Sequence, residues 1–220
     1  MKISAQTIKL LQNFSTINQG IVIHPGNTLR TATPERTILA EAEIPEQFDR
    51  EFGVYDLKKL LALLSMAKEP DVEVTESTIK VKGGKSTVSM RHTNTKLINS
   101  PPSKNIVAPY FISFTLGADD LKWIFNTSSI LGTNHVVFAG KSGKLTLEAV
   151  DVSGKNVDEG SLELGETEHT FRAVLLVERL KIMAGDYEVS ISSKGVVQFA
   201  NKNLKLKFWV ALLNEPSEFE

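Results

Sequence analysis

Apolar side chains recur at helical spacing in four stretches of this chain. Residues 4–14 place Ile8, Leu11 and Phe14 on one stripe, with Lys9, Gln12 and Asn13 off it. Residues 55–68 turn Leu57, Leu60, Leu61 and Leu64 inward and Lys58 and Lys59 outward, with Asp56 in the first turn and Pro70 as a stop. Residues 118–131 open after Gly117 with Asp119 and Asp120, acids suited to the positive start of a helix, bury Leu121, Ile124 and Phe125, and close at Gly132. Residues 173–184 set Leu176, Leu180 and Met183 inward and end before Gly185. Each stretch predicts a helix.

Between them, short segments alternate at the two-residue period of strands. Ile21-Val22-Ile23 precedes the turn residues Pro25-Gly26-Asn27, and Thr37 to Ile44 alternates apolar with polar side chains. Val72 to Val81 and Thr87 to Met90 flank Gly83-Gly84, while Val136 to Ala139 and Leu145 to Val150 flank a Ser142-Gly143 turn. Tyr187 to Ile191 and Leu204 to Leu212 complete the set. The resulting order of helix, strands, helix, strands occurs twice.

The repetition extends to residue identity. Ile8-Lys9-Leu10-Leu11-Gln12-Asn13-Phe14-Ser15 is echoed by Leu121-Lys122-Trp123-Ile124-Phe125-Asn126-Thr127-Ser128, 113 residues later. Asp71-Val72-Glu73-Val74-Thr75 is echoed by Asp186-Tyr187-Glu188-Val189-Ser190, 115 residues later. Self-similarity at a long, nearly fixed period predicts two copies of one folding unit. The fold class expected is α+β, with each half made of two helices on a mostly antiparallel sheet. Asn94 to Pro109, which holds Pro101-Pro102 and little periodicity, reads as a connector between domains at 1–93 and 110–220.

Composition removes several classes of function. The chain has 220 residues, is 41% apolar and contains no cysteine, so disulfides, thiolate metal sites and cysteine nucleophiles are excluded. No stretch reaches the roughly 18 apolar residues of a membrane helix. No export signal is read at the start, and an intracellular protein without membrane partners is expected. Gly84-Lys85-Ser86 and Gly140-Lys141-Ser142 resemble fragments of phosphate loops. The glycine needed five residues earlier is Ile79 or His135, so hairpin turns are the better reading. His24, His92, His135 and His169 are scattered, which predicts no metal site, and no cofactor is expected. No catalytic constellation is legible, so a non-enzyme is expected.

The overall charge is −1, but it is unevenly spread. The four helix windows together carry about +4 and the remainder about −5, making the helices the basic part of a slightly acidic protein. Solvated helix faces would explain this blandly. A helix-lined surface meeting a phosphate backbone by charge, without base contacts, is the sharper explanation.

The chain resembles the DNA polymerase sliding clamps of T-even-type tailed bacteriophages over essentially its whole length. The resemblance is carried by Met1-Lys2-Ile3-Ser4, Thr7, Leu10-Leu11, Asn13-Phe14, Thr16-Ile17-Asn18 and Gly20-Ile21. Further on it rests on Tyr55-Asp56-Leu57, Ile106-Val107-Ala108-Pro109, Gly185-Asp186-Tyr187 and Val210-Ala211-Leu212. Variable loops and the acidic segment Glu215 to Glu220 depart from the family pattern.

The resemblance implies a homotrimeric ring of six domains encircling double-stranded DNA without regard to sequence. Helices would line the hole, and sheets would form an outer wall continued between subunits by edge-strand pairing. It further implies, as partners, the replicative DNA polymerase, an ATP-dependent clamp loader and late-transcription factors, in the cytoplasm of an infected bacterial host. The candidate DNA-facing residues are Lys9, Lys58, Lys59, Lys68, Lys122, Arg179 and Lys181. Partner peptides would dock near the connector, at Val107, Pro109 and Phe111, with Leu212 from the last strand. The competing readings are a β-rich oligomeric structural virion protein, which would not require basic helices, and an enzyme with a cleft between domains.

Overall fold

The computed structural model describes residues 1–102, 108–154 and 157–220. The chain divides into two compact units, Met1–Lys104 and Asn105–Glu220.

The first unit begins with α1 (Ala5–Ile17). Ser4 caps it by accepting the Thr7 amide at 3.2 Å, and the helix runs one turn past the expected end because Phe14 and Ile17 stay on its buried stripe. The strands β1 (Ile21–Ile23), β2 (Gly26–Ala32), β3 (Ile38–Phe48) and β4 (Phe52–Val54) follow. β1 pairs antiparallel with β4, and β2 with β3. Asp56 then caps α2 (Leu57–Ser65) by accepting the Lys59 amide at 3.0 Å. This helix is shorter than expected at both ends. The strands β5 (Asp71–Val74), β6 (Thr78–Gly83) and β7 (Ser86–Arg91) form a three-stranded antiparallel meander. α1 and α2 pack on each other. Leu11, Leu60 and Leu64 from the helices meet Ile23, Leu29, Val72 and Ile79 from the strands around an apolar cavity of only about 20 Å³.

The second unit contains β8 (Ile112–Leu116), α3 (Ala118–Leu131), β9 (His135–Lys141), β10 (Lys144–Val150), β11 (Gly160–Glu166) and β12 (Phe171–Leu176). It closes with β13 (Tyr187–Ser192), β14 (Val196–Asn201), β15 (Leu206–Ala211) and β16 (Glu218–Phe219). β11-β10-β9-β12-β16 form one antiparallel sheet and β8-β13-β14-β15 run antiparallel in another. Phe114, Phe138 and Phe199 join the two, with ring centroids 5.3 and 6.4 Å apart. α3 lies on β9, β10 and β11 with Leu121 and Ile124 buried, and it ends where Gly132 takes a φ of +65°.

The helix expected over 173–184 does not form. Phe171–Leu176 is the buried strand β12, paired with β9, and only a single 3₁₀ turn, Val177–Arg179, follows it. Ala173, Val174 and Leu175 are all fully buried, so from Ala173 onward the strand has no polar face. A continuous apolar run of that length reads alike as a buried helix or a buried strand. Here β-branched and aromatic side chains, and an open place beside β9, decide for the strand. Among the described residues, the α-helices number two in the first unit and one in the second. Gly84-Lys85 lies in the hairpin turn between β6 and β7, as expected, while Gly140-Lys141 ends β9 and only Ser142 of that fragment enters the Ser142-Gly143 turn to β10.

Candidate functional site

The solvent faces of α1 and α2 are basic and free of acid. Thirteen residues of α1 and nine of α2 contain Lys9, Lys58 and Lys59 and neither Asp nor Glu. Burying Leu10, Leu11 and Phe14 on α1 leaves Gln6, Lys9, Gln12 and Thr16 exposed. Burying Leu57, Leu60 and Leu64 on α2 leaves Lys58, Lys59, Ala62 and Ser65 exposed. Among the described residues, none of these three lysines forms a salt bridge. Unpaired ammonium groups on neighbouring helices can meet a phosphate backbone without first breaking a protein contact.

The start of α1 is held in place from β3. Glu46 accepts the Ser4 amide and the Thr7 hydroxyl, the latter at 2.5 Å. Burial works against its charge, but the Thr7 hydroxyl and the Ser4 amide and hydroxyl outweigh this and hold the carboxyl below the usual glutamate range. The carboxylate also sits at the positive end of the helix.

The other predicted DNA-facing residues are placed less alike. Lys68 is exposed but lies beyond α2, beside an open cleft that also includes Lys2, Ser4 and Glu69. Lys122 is exposed on α3, near the acids Asp119 and Asp120 of its first turn. Arg179 is half-buried in the 3₁₀ turn and donates from Nη1 to the Ala211 carbonyl at 3.2 Å. Lys181 is half-buried in the following coil. With the fourth helix absent, Lys9, Lys58 and Lys59 together with Lys122, Asp119 and Asp120 leave the three helices a net charge of +2.

The predicted peptide pocket is divided. Val107 lies outside the described residues, and Pro109 is exposed. Phe111 precedes β8 and Leu212 follows β15 at one end of the run β8-β13-β14-β15, since Ile112, Ile191, Val197 and Val210 form one cross-strand row. Three strand spacings separate them by about 14 Å. Leu212 is buried, and its amide donates to the Gly195 carbonyl at 3.0 Å. Phe111 belongs to an aromatic cluster instead, with His169 at 4.7 Å, Phe219 at 5.5 Å and Phe171 at 6.0 Å between ring centroids. Sequence reasoning missed the other three members. A lone phenylalanine between Glu218 and Glu220 was the signal available for Phe219.

Several strands end their sheets with one side unpaired among the described residues, and two of these, β7 and β11, carry opposite charge. Among the described residues, β7 pairs only with β6 and β11 only with β10. Thr78 to Arg91 carries Lys80, Lys82, Lys85 and Arg91 and no acid. Asp158 to Glu168 carries Asp158, Glu159, Glu163, Glu166 and Glu168 and no base.

The two-unit fold and its acid-free helical face define a class, and the comparisons agree with it. Residues 4–103 match the family model described as DNA polymerase processivity factor, and residues 113–213 match that of the gp45 sliding clamp, C terminal. The sliding clamp of Vibrio phage KVP40 is 30% identical over 96% of this chain and 98% of its own length. That of Enterobacteria phage T4 is 30% identical over 89% of each. The chain belongs to the sliding-clamp family of DNA polymerase processivity factors. Solved structures of that fold are similar at lower identity. A. fulgidus PCNA, bound to the C-terminal region of FEN-1, superposes with a TM-score of 0.73 at 16% identity over 94% of both chains. The DNA polymerase III subunit beta of Pseudomonas aeruginosa gives 0.69 at 16% identity, over all of this chain and 65% of that one. No helix among the described residues is long and apolar enough to cross a membrane.

Proposed function

We propose that three copies of this chain close into a ring around duplex DNA, hold it by topology, and keep the replicative polymerase at the primer end. The open edges of β7 and β11 carry this reading. Strands with an unpaired side are a liability unless something pairs with them. These two bear opposite charge, and each alternates half-buried apolar side chains, Val88 and Met90 on one and Leu162 and Leu164 on the other, with exposed polar ones. β7 of each subunit pairs with β11 of the next, a head-to-tail contact that closes after three copies. Residues 1–93 and 110–220 form the two clamp domains of each subunit, joined by 94–109.

The DNA is met by Lys9, Lys58, Lys59, Lys68 and Lys122 through phosphates alone, weakly enough to slide. Arg179 and Lys181 add charge at the margin. The polymerase gains processivity from effective concentration, with no catalytic step by the clamp itself. A separate ATP-driven loader opens the ring in the cytoplasm of the infected bacterium, and factors for late transcription share the platform. Partner peptides dock around Phe111, with Val107, Pro109 and Leu212 as further candidates.

Native mass by light scattering tests the assembly. The subunit weighs 24.3 kDa, so a ring of three weighs about 73 kDa. A dimer at every concentration supplies four domains and contradicts the reading.

A further inference from the structure

The residues that follow β15 fold back onto their own unit. The Leu213 amide donates to the Val174 carbonyl at 2.9 Å, the Val174 amide to Ser217 Oγ at 3.0 Å, and the Glu220 amide to the Thr170 carbonyl at 3.1 Å. β16 thereby pairs antiparallel with β12, Glu218 opposite Arg172 and Phe219 opposite Phe171. The Phe219 ring is parallel to that of Phe171, at 6.3 Å, and meets Phe111 edge-on at 5.5 Å. Beside this pairing lies an open cleft of about 380 Å³ whose lining includes the cations Lys141 and Arg172 and the acids Glu148, Glu218 and Glu220.

A strand of two residues is too short to be stable by itself. A few main-chain hydrogen bonds and one half-buried ring hold this one, and such elements open at far lower cost than the core. Opening would leave β12 as a sheet edge, with Phe111 and Phe171 uncovered and Lys141 and Arg172 nearby. That combination suits an added strand. The main chain supplies affinity, while an aromatic slot and a pair of cations supply selectivity.

We infer that the outer side of β12 is a peptide-docking groove and that residues 215–220 are its built-in, displaceable occupant. The partner is an extended acidic segment of another protein, laid antiparallel on β12 with an aromatic side chain in the place of Phe219. This rests on the clamp reading for the existence of such partners and deepens it by giving their chemistry. Phe111 remains in the pocket, and Phe171, His169, Lys141 and Arg172 join it. The tethered occupant lowers the partner's apparent affinity by the fraction of time the groove stands open, so partner binding and tail release are one equilibrium.

The test is fluorescence anisotropy with a labelled peptide of the sequence of residues 214–220 and a second peptide in which its phenylalanine is alanine. Both are titrated with the full chain, with a chain ending at Asn214, and with Phe219→Ala. The shortened chain is expected to bind the first peptide roughly tenfold or more tightly than the full chain, as removal of a tethered competitor requires. Phe219→Ala should bind it with an intermediate gain, Phe111→Ala in the shortened chain should lose it, and the alanine peptide should bind to none of them. Equal binding to full and shortened chains, or no binding to either, overturns the inference. If the shortened chain does not fold, Phe219→Ala decides alone, and an unchanged affinity there overturns it. Competition by the full chain that vanishes on dilution assigns the groove to the tail of a second copy and also overturns it. The assay contains neither DNA nor polymerase, so its failure would leave the trimeric ring and its mass untouched.

Discussion

Glu46 concentrates at one residue what fixes the α1 face. Its carboxylate satisfies the Ser4 amide and the Thr7 hydroxyl, groups that lie far from it in sequence and are shielded from water. Glu46→Ala removes the side-chain acceptor of the Ser4 amide and leaves the Thr7 hydroxyl only its contact with the Ser4 hydroxyl, and should cost about 1–3 kcal/mol in denaturant unfolding. The pH dependence follows from its lowered folded-state value. Its stabilisation is fully present above the ordinary glutamate range and fades as pH falls through the depressed folded-state value. Glu46→Gln should therefore flatten the acid limb of the stability curve, and an unchanged limb would contradict the assignment. Gly140 makes a different demand. A Cβ there would stand 2.3 Å from the His169 carbonyl oxygen and 2.7 Å from the Phe171 ring, so Gly140→Ala must push β12 away from β9. A loss of about 1–3 kcal/mol is expected in the same unfolding assay. Neither role was legible in the sequence. Glu46 falls on the buried parity of β3, between Ile44 and Phe48, which marks the position as unusual but does not give its partners, and Gly140 looks like part of a phosphate-loop fragment. Each acquires its meaning from a contact made only after folding.

At the scale of elements, a helix was readable where caps and periodicity agreed. Gly117, the acids at 119 and 120 and the left-handed Gly132 bound α3 at the expected residues. β12 was misread because its apolar run from Ala173 is buried on both faces and loses the two-residue signature, and Leu176, Leu180 and Met183 happen to fall at helical spacing. The error removes part of the basic surface that had been expected on helices and concentrates the case on α1 and α2. Lys58→Glu with Lys59→Glu should leave the melting temperature within about 2 °C, as exposed substitutions usually do. It should cut the fraction of clamp retained on DNA roughly tenfold, with a weaker salt dependence. Wild-type loading in that variant would remove the pair from the DNA-facing surface. The strand edges make a separate prediction. Lys85→Glu with Arg91→Glu places acids just before and at the end of β7, opposite an acidic β11, and should raise the concentration needed for assembly roughly tenfold or more, as measured by sedimentation. Assembly unchanged by this reversal would show that these edges do not meet.

For the whole molecule, the internal duplication was the most legible feature. The echo of residues 8–15 at 121–128 falls on α1 and α3, and the echo of 71–75 at 186–190 falls on β5 and the start of β13. The duplication could be read because short residue echoes survive in both halves, and the clamp fold because scattered motifs resemble the family, although the second unit has only a 3₁₀ turn where its second helix was expected. The aromatic cluster proposed as the partner surface could not be read in the same way. Phe111, His169, Phe171 and Phe219 come from distant parts of the sequence and share no pattern, and only the sheet brings them together. Oligomeric closure is likewise a property of strand edges, which carry no signature until the pairing of every other strand is known. A ring that holds DNA by enclosing it has a property that no open oligomer or surface-bound protein shares. Loaded onto a nicked circle by the proposed ATP-driven loader, the clamp should stay bound through gel filtration and then slide off once the circle is cut to a linear form. Equal retention on circular and linear DNA would mean that it grips the duplex rather than encircling it, and would contradict the account.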